Sequence, residues 1–246
     1  MKSVHEALVQ AGKLSALGEL SAGIAHELNQ PLQGIKGYSQ LLQDNVTDAK
    51  TTQEYLGEII KNSERMAAII RDLRSFTQAS IEGFDWITLS DPISAAKKML
   101  DGHLTAAGVR VEISLPTELP KCFANKNQFE QVFVNLFNNA KDAIIETGRS
   151  DGVIRVSATQ IREGEVKLII SDNGKGMDSQ TRDQIFNPFF TTKPTGKGMG
   201  LGLSVTYSIM QKHRGLIEVK SEKTSGSTFV IKLPVDFRTK KGSVRP

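Results

Sequence analysis

The first third of the chain repeats apolar residues at the spacing of long amphipathic helices. Written in heptads, residues 4–44 place the following at positions a and d: Leu14, Leu17, Ser21, Ile24, Leu28, Pro31, Ile35, Tyr38 and Leu42. Residues 51–80 carry a second seam: Leu56, Ile59, Ser63, Met66, Ile70, Leu73, Thr77 and Ser80. A polar break at 45–48 separates the two helices. The pattern therefore predicts an antiparallel helical hairpin.

A single hairpin leaves several apolar residues beside the first seam without a partner. These residues are Leu20, Ala25, Leu32 and Leu41. Pairing of two hairpins into a four-helix bundle would cover them. We therefore expect the chain to form a homodimer.

The heptads stop near residues 81–85, and short strand patterns then alternate with helices. Strands are predicted at 85–88, 109–114, 152–161, 165–171, 216–221 and 227–233, and helices at 90–107, 125–146 and 201–213. The last helix ends at His213, with Gly215 expected in the left-handed cap. The expected fold is α+β and multidomain, with a helical hairpin at 1–83, a two-layer α/β sandwich at 84–237 and a disordered tail at 238–246.

Composition limits the classes of function that the chain can have. The 246 residues carry a net charge of +4 without a dense basic run, which argues against nucleic-acid binding. One cysteine, Cys122, excludes an internal disulfide and fits a reducing compartment. No apolar run is long enough to span a membrane, and no signal peptide opens the sequence. We expect a cytoplasmic location, with any sensing segment absent from this sequence or carried by a partner.

One histidine stands on the polar face of the first helix. His26 falls on heptad position f, where solvent exposure is greatest. An exposed imidazole is accessible to a large reactant, and near pH 7 it often retains a free nitrogen lone pair. An isolated exposed histidine is nevertheless most often an ordinary surface residue. The pattern downstream changes that interpretation.

Two polar segments in the second region suggest contacts with a nucleotide. Asn135, Asn139 and Asp142 are spaced i, i+4 and i+7 and share one helix face, where an amide oxygen could bind Mg²⁺. The run 172–176, D-N-G-K-G, directly follows an apolar strand. A carboxylate at that strand end can accept a hydrogen bond from an adenine amino group. The two glycines allow the backbone to approach the flat base.

Two further segments complete the pattern. The aromatic cluster in 186–193 can anchor a mobile lid, whose Lys193 would reach a terminal phosphate. The run 196–203, G-K-G-M-G-L-G-L, leads into a helix, and backbone amides at a glycine-rich helix start can bind phosphate. The spacing fits neither the Rossmann nor the P-loop motif. The four segments in this order predict a nucleotide site.

With these segments the chain resembles the catalytic core of bacterial two-component sensor histidine kinases. The run 26–32, H-E-L-N-Q-P-L, is similar to the H box. Residues 135–143 resemble the N box, 172–176 the G1 box, 186–190 the F box and 196–203 the G2 box. The H box and the lid are most similar to the nitrogen-regulation and dicarboxylate-sensing branch. The resemblance implies a dimerisation and phosphotransfer hairpin followed by an ATP-binding domain of the Bergerat (GHKL) type.

The resemblance also implies a reaction and its residues. ATP with Mg²⁺ would phosphorylate His26, and the phosphoryl group would pass to an aspartate of a response-regulator receiver domain. Glu27 would orient the imidazole or take its proton, Asn139 would bind Mg²⁺, and an upstream sensor domain or protein would control the reaction. Residues implied to bind the nucleotide are Asn135, Asn139, Lys141, Asp142, Asp172, Gly174, Gly176, Ile185, Phe190, Lys193, Gly198, Met199, Gly200, Leu201, Gly202, Leu203 and Thr228.

Departures from the family pattern leave alternatives open. Asn135 stands where related ATPases carry a glutamate base, which disfavours ATP hydrolysis. Asp142 stands where many members carry a cation, so phosphate contacts could come from Lys141 or Lys193 instead. Gln30 stands four residues after the histidine, where Thr or Asn often supports phosphatase activity. A phosphatase-dominant bifunctional protein and a nucleotide-binding scaffold without kinase turnover are therefore the alternative functions.

Overall fold

The computed structural model describes residues 21–44, 48–77, 83–162, 164–194, 198 and 200–238. The chain divides into two compact units, one drawn from 1–79 and 193–199, the other from 80–192 and 200–246. Several predictions lie outside the described residues: the start of the first helix before residue 21, the loop at 45–47, the end of the second helix at 78–80 and the tail from 239 onward. Among the described helices, none has the length and apolar character that a bilayer-spanning segment requires.

The predicted helical hairpin is confirmed. Helix α1 covers Ser21–Asp44 and helix α2 covers Ala49–Thr77, and the two pack against each other. Asp48 caps the start of helix α2: its carboxylate accepts hydrogen bonds from the backbone N–H of Lys50 at 2.9 Å and of Thr51 at 3.1 Å. These bonds satisfy donors that an α-helix leaves unpaired, and they lower the pKa of Asp48.

In the predicted seam of the second helix, the d positions Ile59 and Met66 are half-buried as expected, but the a positions are wrong by one residue. Tyr55 packs its ring 5.6 Å from that of Tyr38 in α1, and Ile69 is buried, whereas Leu56 and Ile70 are exposed. The error arises because apolar residues cover more than one face of α2. Where the structure describes side chains of the hairpin, the large apolar residues that are exposed are Leu32, Leu41, Leu56, Ile60 and Ile70.

The second unit contains a five-stranded mixed sheet and a two-stranded sheet. The strands are β1 Phe84–Ile87, β2 Val109–Ser114, β3 Cys122–Asn125, β4 Gly152–Arg162, β5 Glu165–Asp172, β6 Leu216–Ser221 and β7 Ser227–Pro234. The large sheet has the order β2-β4-β5-β7-β6, with β2 parallel to β4 and the other pairs antiparallel. The small sheet pairs β1 with β3.

Helices form the second layer of this unit. They are α3 Ser90–Ala106, α4 Lys126–Ile145, α5 Ser179–Gln184 and α6 Gly202–Lys212. Helices α3, α4 and α6 contact the large sheet. Burial alternates along β5, where Val166, Leu168 and Ile170 are buried and their neighbours are not, so the sheet has one covered face. The predicted two-layer α/β architecture is confirmed.

Strand β3 and helix α5 were not predicted from the sequence. Strand β3 has four residues, too few to show a period. Helix α5 has no buried residue, so it carries no apolar stripe. Its start is nevertheless marked by Asp178, whose side chain accepts a hydrogen bond from the Thr181 N–H at 2.8 Å.

Buried His213 ends helix α6 and contacts the start of α4. Its Nδ1 lies 2.8 Å from the carbonyl oxygen of Ile209, and its Nε2 accepts a hydrogen bond from the Asn125 N–H at 3.0 Å. Because Nε2 must accept, Nδ1 carries the proton and donates it. The rings of Phe84 and Phe129 lie 4.7 and 4.9 Å away. Burial lowers the pKa of His213 to about 4.

The prediction for Gly215 is wrong. The left-handed residue after α6 is Arg214, with φ of 51°. A Cβ on Gly215 would instead stand 2.9 Å from the carbonyl oxygen of Lys232 in β7. Glycine is required at 215 by the close approach of a strand.

Neutral His213 should make the stability of the second unit depend on pH. Between the folded pKa of about 4 and the ordinary histidine pKa of 6.5, the unfolded chain binds a proton that the folded chain does not. The free energy of unfolding should therefore fall by about 3 kcal/mol as the pH drops from 7 to 4 through this group. Urea unfolding, followed by the fluorescence of the single tryptophan Trp86, measures this change.

The variant His213→Gln keeps an acceptor but cannot titrate, so its stability should depend less on pH in this range. The variant His103→Gln, altered at an exposed histidine, serves as the matched control and should retain the wild-type dependence. Equal pH dependence in wild type and His213→Gln would contradict the assignment.

Candidate nucleotide-binding site

The middle of helix α4 is joined to the first turn of helix α6. The half-buried Asn135 donates through Nδ2 to the carbonyl oxygen of Gly202 at 2.9 Å and approaches Thr206 Oγ1 at 3.4 Å. Gly202 is the first residue of α6. The amide of Asn135 thus fixes the helix start that follows the glycine-rich run, and it leaves that helix terminus beside the polar face of α4.

The polar face of α4 continues through Asn139 and Asp142, both half-buried. Lys141 Nζ donates to Asn138 Oδ1 at 3.3 Å and lies 3.4 Å from Asp142 Oδ1. The charge of Lys141 is therefore already engaged by side chains of its own helix.

This face suits a metal ion that takes few protein ligands. Within the described residues there is no group of three or more His, Cys, Asp or Glu side chains that could hold a metal by themselves. A Mg²⁺ ion commonly takes one or two protein oxygens and completes its octahedron with water and phosphate oxygens. The amide oxygen of Asn139, with the carboxylate of Asp142 one turn away, fits an ion of that kind.

The carboxylate of Asp172 lies at the end of β5 and is held by the backbone. Its Oδ1 accepts hydrogen bonds from the N–H of Gly174 at 2.8 Å and of Ser227 at 3.3 Å. Burial raises the pKa of Asp172, and these two bonds oppose that increase. Because both bonds end on Oδ1, Oδ2 is the oxygen that is left to accept a hydrogen bond from a ligand.

The loop after β5 requires glycine at two positions. A Cβ on Gly174 would lie 2.8 Å from Ala143 in α4, and the next residue, Lys175, donates its N–H to the Ala143 carbonyl oxygen at 3.0 Å. Gly176 has φ of 65°, and a Cβ there would stand 1.8 Å from the carbonyl oxygen of Glu222. The loop is therefore held between α4 and the turn that joins β6 to β7.

Thr228 borders the same strand end. It lies on β7, paired with Ser171 of β5, and its side chain is half-buried. Ser171 directly precedes Asp172. Ile185, at the end of α5, is buried.

The aromatic segment and the glycine-rich run meet at Gly200. The Phe189 N–H donates to the carbonyl oxygen of Gly200 at 3.0 Å, and Gly200 has φ of 67°. Phe186 packs its ring 5.6 Å from that of Tyr207 in α6. Tyr207 was not predicted as a contact of this segment. Phe190 is half-buried.

The predicted site residues are divided between the two units. The second unit contains Asn135, Asn139, Lys141, Asp142, Asp172, Gly174, Gly176, Ile185, Phe190, Gly200, Leu201, Gly202, Leu203 and Thr228, with Leu201 buried and Leu203 half-buried just inside α6. Lys193 and Gly198 belong to the first unit, and Met199 lies outside the described residues.

The H-box residues all lie on helix α1. The side chains of His26 and Glu27 lie outside the described part of the structure. Gln30, one turn after His26, is half-buried, and its Oε1 accepts a hydrogen bond from Arg65 Nη2 of α2 at 3.2 Å. Arg65 was not predicted as a partner of Gln30, because a charged residue on a long helix gives no specific signal in the sequence.

Two family profiles match the chain. The profile of the His Kinase A (phospho-acceptor) domain matches residues 16–80, which include His26. The profile of the histidine kinase-, DNA gyrase B- and HSP90-like ATPases matches residues 124–236, which include the candidate site in the second unit.

Curated relatives match nearly the whole chain. The histidine-protein kinase AtoS of Escherichia coli is 33% identical over 96% of this chain and 38% of its own length. The sensor kinase ZraS of the same organism is 32% identical over 93% of this chain and 48% of its own length. The C4-dicarboxylate transport sensor DctB of Rhizobium meliloti is 32% identical over 95% of this chain and 37% of its own length. The chain thus spans between about a third and a half of these relatives.

Solved structures share the fold. Histidine kinase ThkA, crystallised in complex with the response regulator TrrA, aligns with a TM-score of 0.76 at 23% identity over 98% of this chain and 68% of its own. AdeS of Acinetobacter baumannii aligns with a TM-score of 0.66 at 23% identity over 85% of this chain and 98% of its own. With both family profiles and these relatives, the chain belongs to the two-component sensor histidine kinases, and it corresponds to their catalytic core.

Proposed function

We propose that this core phosphorylates His26 with ATP and passes the phosphoryl group to an aspartate of a receiver domain. The match of residues 16–80 to the phospho-acceptor profile supports His26 as the acceptor. The complex of ThkA with a response regulator supports a receiver domain as the partner. The relatives are longer than this chain, so an additional sensor segment or sensor protein is part of the proposal. ATP-dependent signalling requires the cytoplasmic nucleotide pool, so the proposal includes a cytoplasmic location.

The arrangement of Asp172 is the observation that carries the ATP assignment. Backbone N–H groups occupy Oδ1, so the orientation of the carboxylate is fixed and Oδ2 can accept a hydrogen bond from the exocyclic amino group of adenine. The close approach of Gly174 to α4, which a side chain would prevent, keeps its backbone N–H in place on Oδ1. Thr228 borders the same strand end and would contact the base from β7.

The phosphate end of the nucleotide is assigned to the start of α6. The N–H groups at a helix N-terminus attract anions, and the bond from Asn135 to Gly202 holds this terminus beside the polar face of α4. Asn139 would bind Mg²⁺, and Lys193 and residues 198–203 would contact the phosphates. When bound, the metal would neutralise charge on the phosphate oxygens. Asn135 cannot take a proton from water as a glutamate could, which favours transfer to histidine over hydrolysis.

The proposed reaction has two transfers. The neutral imidazole nitrogen of His26 attacks the γ-phosphorus, the bond to the β,γ-bridging oxygen breaks, and ADP leaves. Glu27 orients the ring or accepts the proton that the imidazole loses. A carboxylate oxygen of the receiver aspartate then attacks the same phosphorus, and the bond to the His26 nitrogen breaks, which restores the histidine.

A homodimer is also part of the proposal. The exposed apolar residues of the hairpin, Leu32, Leu41, Leu56, Ile60 and Ile70, would be covered by a second hairpin in a four-helix bundle. Covering these side chains would remove apolar surface from water, which favours association.

Dephosphorylation of the receiver domain is a second candidate function. The hydrogen bond from Arg65 to Gln30 Oε1 favours it, because a guanidinium only donates and therefore holds the amide in one orientation, one turn after His26. A fixed amide can position a water molecule for attack on an aspartyl phosphate.

Replacement of one carboxylate oxygen of Asp172 by an NH2 group tests the ATP assignment. Asp172→Asn keeps an oxygen for the N–H groups of Gly174 and Ser227, but it turns an NH2 group toward the ligand in place of an acceptor. The affinity for ATP, measured by calorimetry, should fall about 100-fold with the fold intact, since two donors would then face each other. Asp183→Asn, altered at an exposed carboxylate of α5, should bind as the wild type does. Wild-type affinity in Asp172→Asn would refute the assignment.

Labelling with γ-³²P ATP and Mg²⁺ tests the acceptor. The wild type should acquire acid-labile, base-stable label and His26→Gln should acquire none, while His103→Gln should be labelled like the wild type. Label retained in His26→Gln would exclude this site. Nucleotide binding without label on the wild type would favour the phosphatase or the scaffold instead.

Introduction of charge at the exposed hairpin face tests the dimer. Ile60→Lys should convert the dimer to a monomer in light scattering, because burial of an unpaired ammonium costs several kcal/mol. Ile161→Lys, altered at an equally large exposed residue on β4, should leave the dimer unchanged. A dimer in both variants would place the interface elsewhere.

A further inference from the structure

The turn between β6 and β7 lies directly against the loop that carries the proposed adenine contact. The Thr224 N–H donates to the carbonyl oxygen of Lys175 at 2.6 Å. Gly226 has φ of 78°, and a Cβ there would stand 2.0 Å from the carbonyl oxygen of Asp172. The Lys223 ammonium pairs with Asp178 at 3.0 Å at the exposed end of the turn. The two backbone segments therefore contact each other without intervening side chains.

A buried hydroxyl joins these two segments. Ser221, the last residue of β6, accepts a hydrogen bond from the Met177 N–H at 2.9 Å and donates to the carbonyl oxygen of Gly226 at 2.9 Å. Ser227 Oγ lies 3.1 Å from Ser221 Oγ. Because the single proton of Ser221 goes to Gly226, the Ser227 hydroxyl is the donor of that third bond. One donor and two acceptor sites are thereby used, which is the full capacity of a hydroxyl group.

Ser227 joins the β6–β7 turn to Asp172. Ser227 donates its side-chain hydroxyl to Ser221 and its backbone N–H to Asp172 Oδ1. Ser221 holds Met177, which follows Gly176 at the far end of the loop. The hydroxyl of Ser221 therefore connects the end of the loop, through residues 226 and 227, to the carboxylate at its beginning.

We propose that Ser221 is a positioning residue for the base of the nucleotide. It does not contact the base. It holds the β6–β7 turn and the loop 172–177 at the separation in which Ser227 occupies Asp172 Oδ1 and Oδ2 faces the ligand. This inference rests on the proposed role of Asp172 in ATP binding.

Ser221→Ala tests the inference. The variant leaves the Met177 N–H and the Ser227 hydroxyl without their partner, so the loop should relax and Asp172 should lose its fixed orientation. The dissociation constants of ATP, ADP and AMP, measured by calorimetry, should each rise about tenfold, because the three nucleotides share the base. The rate of autophosphorylation at saturating ATP should remain unchanged, since the phosphate end is untouched.

Matched variants separate positioning from stability. Leu100→Ala, which opens a space in buried α3, should lower the melting temperature while the folded protein binds nucleotide with wild-type affinity. Ser227→Ala removes one of the three bonds to Ser221 and should weaken binding about threefold. This variant also provides the readout if Ser221→Ala does not fold. Ser221→Thr retains the hydroxyl and should restore affinity to within about twofold of the wild type.

The outcomes distinguish this inference from the function on which it rests. Wild-type affinity in both Ser221→Ala and Ser227→Ala, or a loss confined to ATP, would overturn the positioning role and leave the proposed function intact. A wild-type protein that binds none of the three nucleotides would overturn the ATP assignment and the inference with it. A parallel loss of affinity for all three, with an unchanged maximal rate, supports the inference.

Discussion

The packing of helix α4 against the sheet is the constraint on which the second unit depends. Phe129, Phe133 and Phe137 are fully buried on one side of the helix, and each contributes about 2 kcal/mol by removal of apolar surface from water. Their burial fixes the rotation of the helix about its axis. Asn135 and Asn139 are consequently fixed on another side, so the core determines which polar groups are offered to a ligand.

Helix α6 is tied to α4 near both of its ends. At its first residue, the carbonyl oxygen of Gly202 accepts a hydrogen bond from the side chain of Asn135. At its end, His213 accepts one from the N–H of Asn125, the N-cap of α4. Both bonds are buried or half-buried and join a side chain to backbone, so they resist exchange with water. A displacement of either helix would move the other, which keeps the helix start near the polar face.

Much of the fold followed from periodicity, because long apolar patterns and strands of six or more residues have a clear repeat. The elements that were missed or predicted wrongly lack such a repeat or depend on tertiary contacts. Strand β3 is too short, and the a positions of the α2 seam shifted by one residue because the helix has two apolar faces. Arg214, not Gly215, adopts the left-handed conformation. The glycine at 215 is needed for a different reason, because strand β7 comes close to it. Ser221 resembled any serine at a strand end, and its role depends on segments distant in sequence.

In its proposed role at the base, the fixed carboxylate of Asp172 has a consequence for the choice of purine. A carboxylate oxygen can only accept hydrogen bonds, and Oδ1 is already committed to two backbone N–H groups. Guanine carries a carbonyl oxygen where adenine carries an amino group. Guanine bound in the same manner would place this carbonyl oxygen against Asp172 Oδ2, and the two oxygens would repel each other. The backbone hydrogen bonds to Oδ1 would prevent the carboxylate from turning away. The pocket would thus exclude GTP by repulsion at one atom, without any residue that contacts guanine specifically.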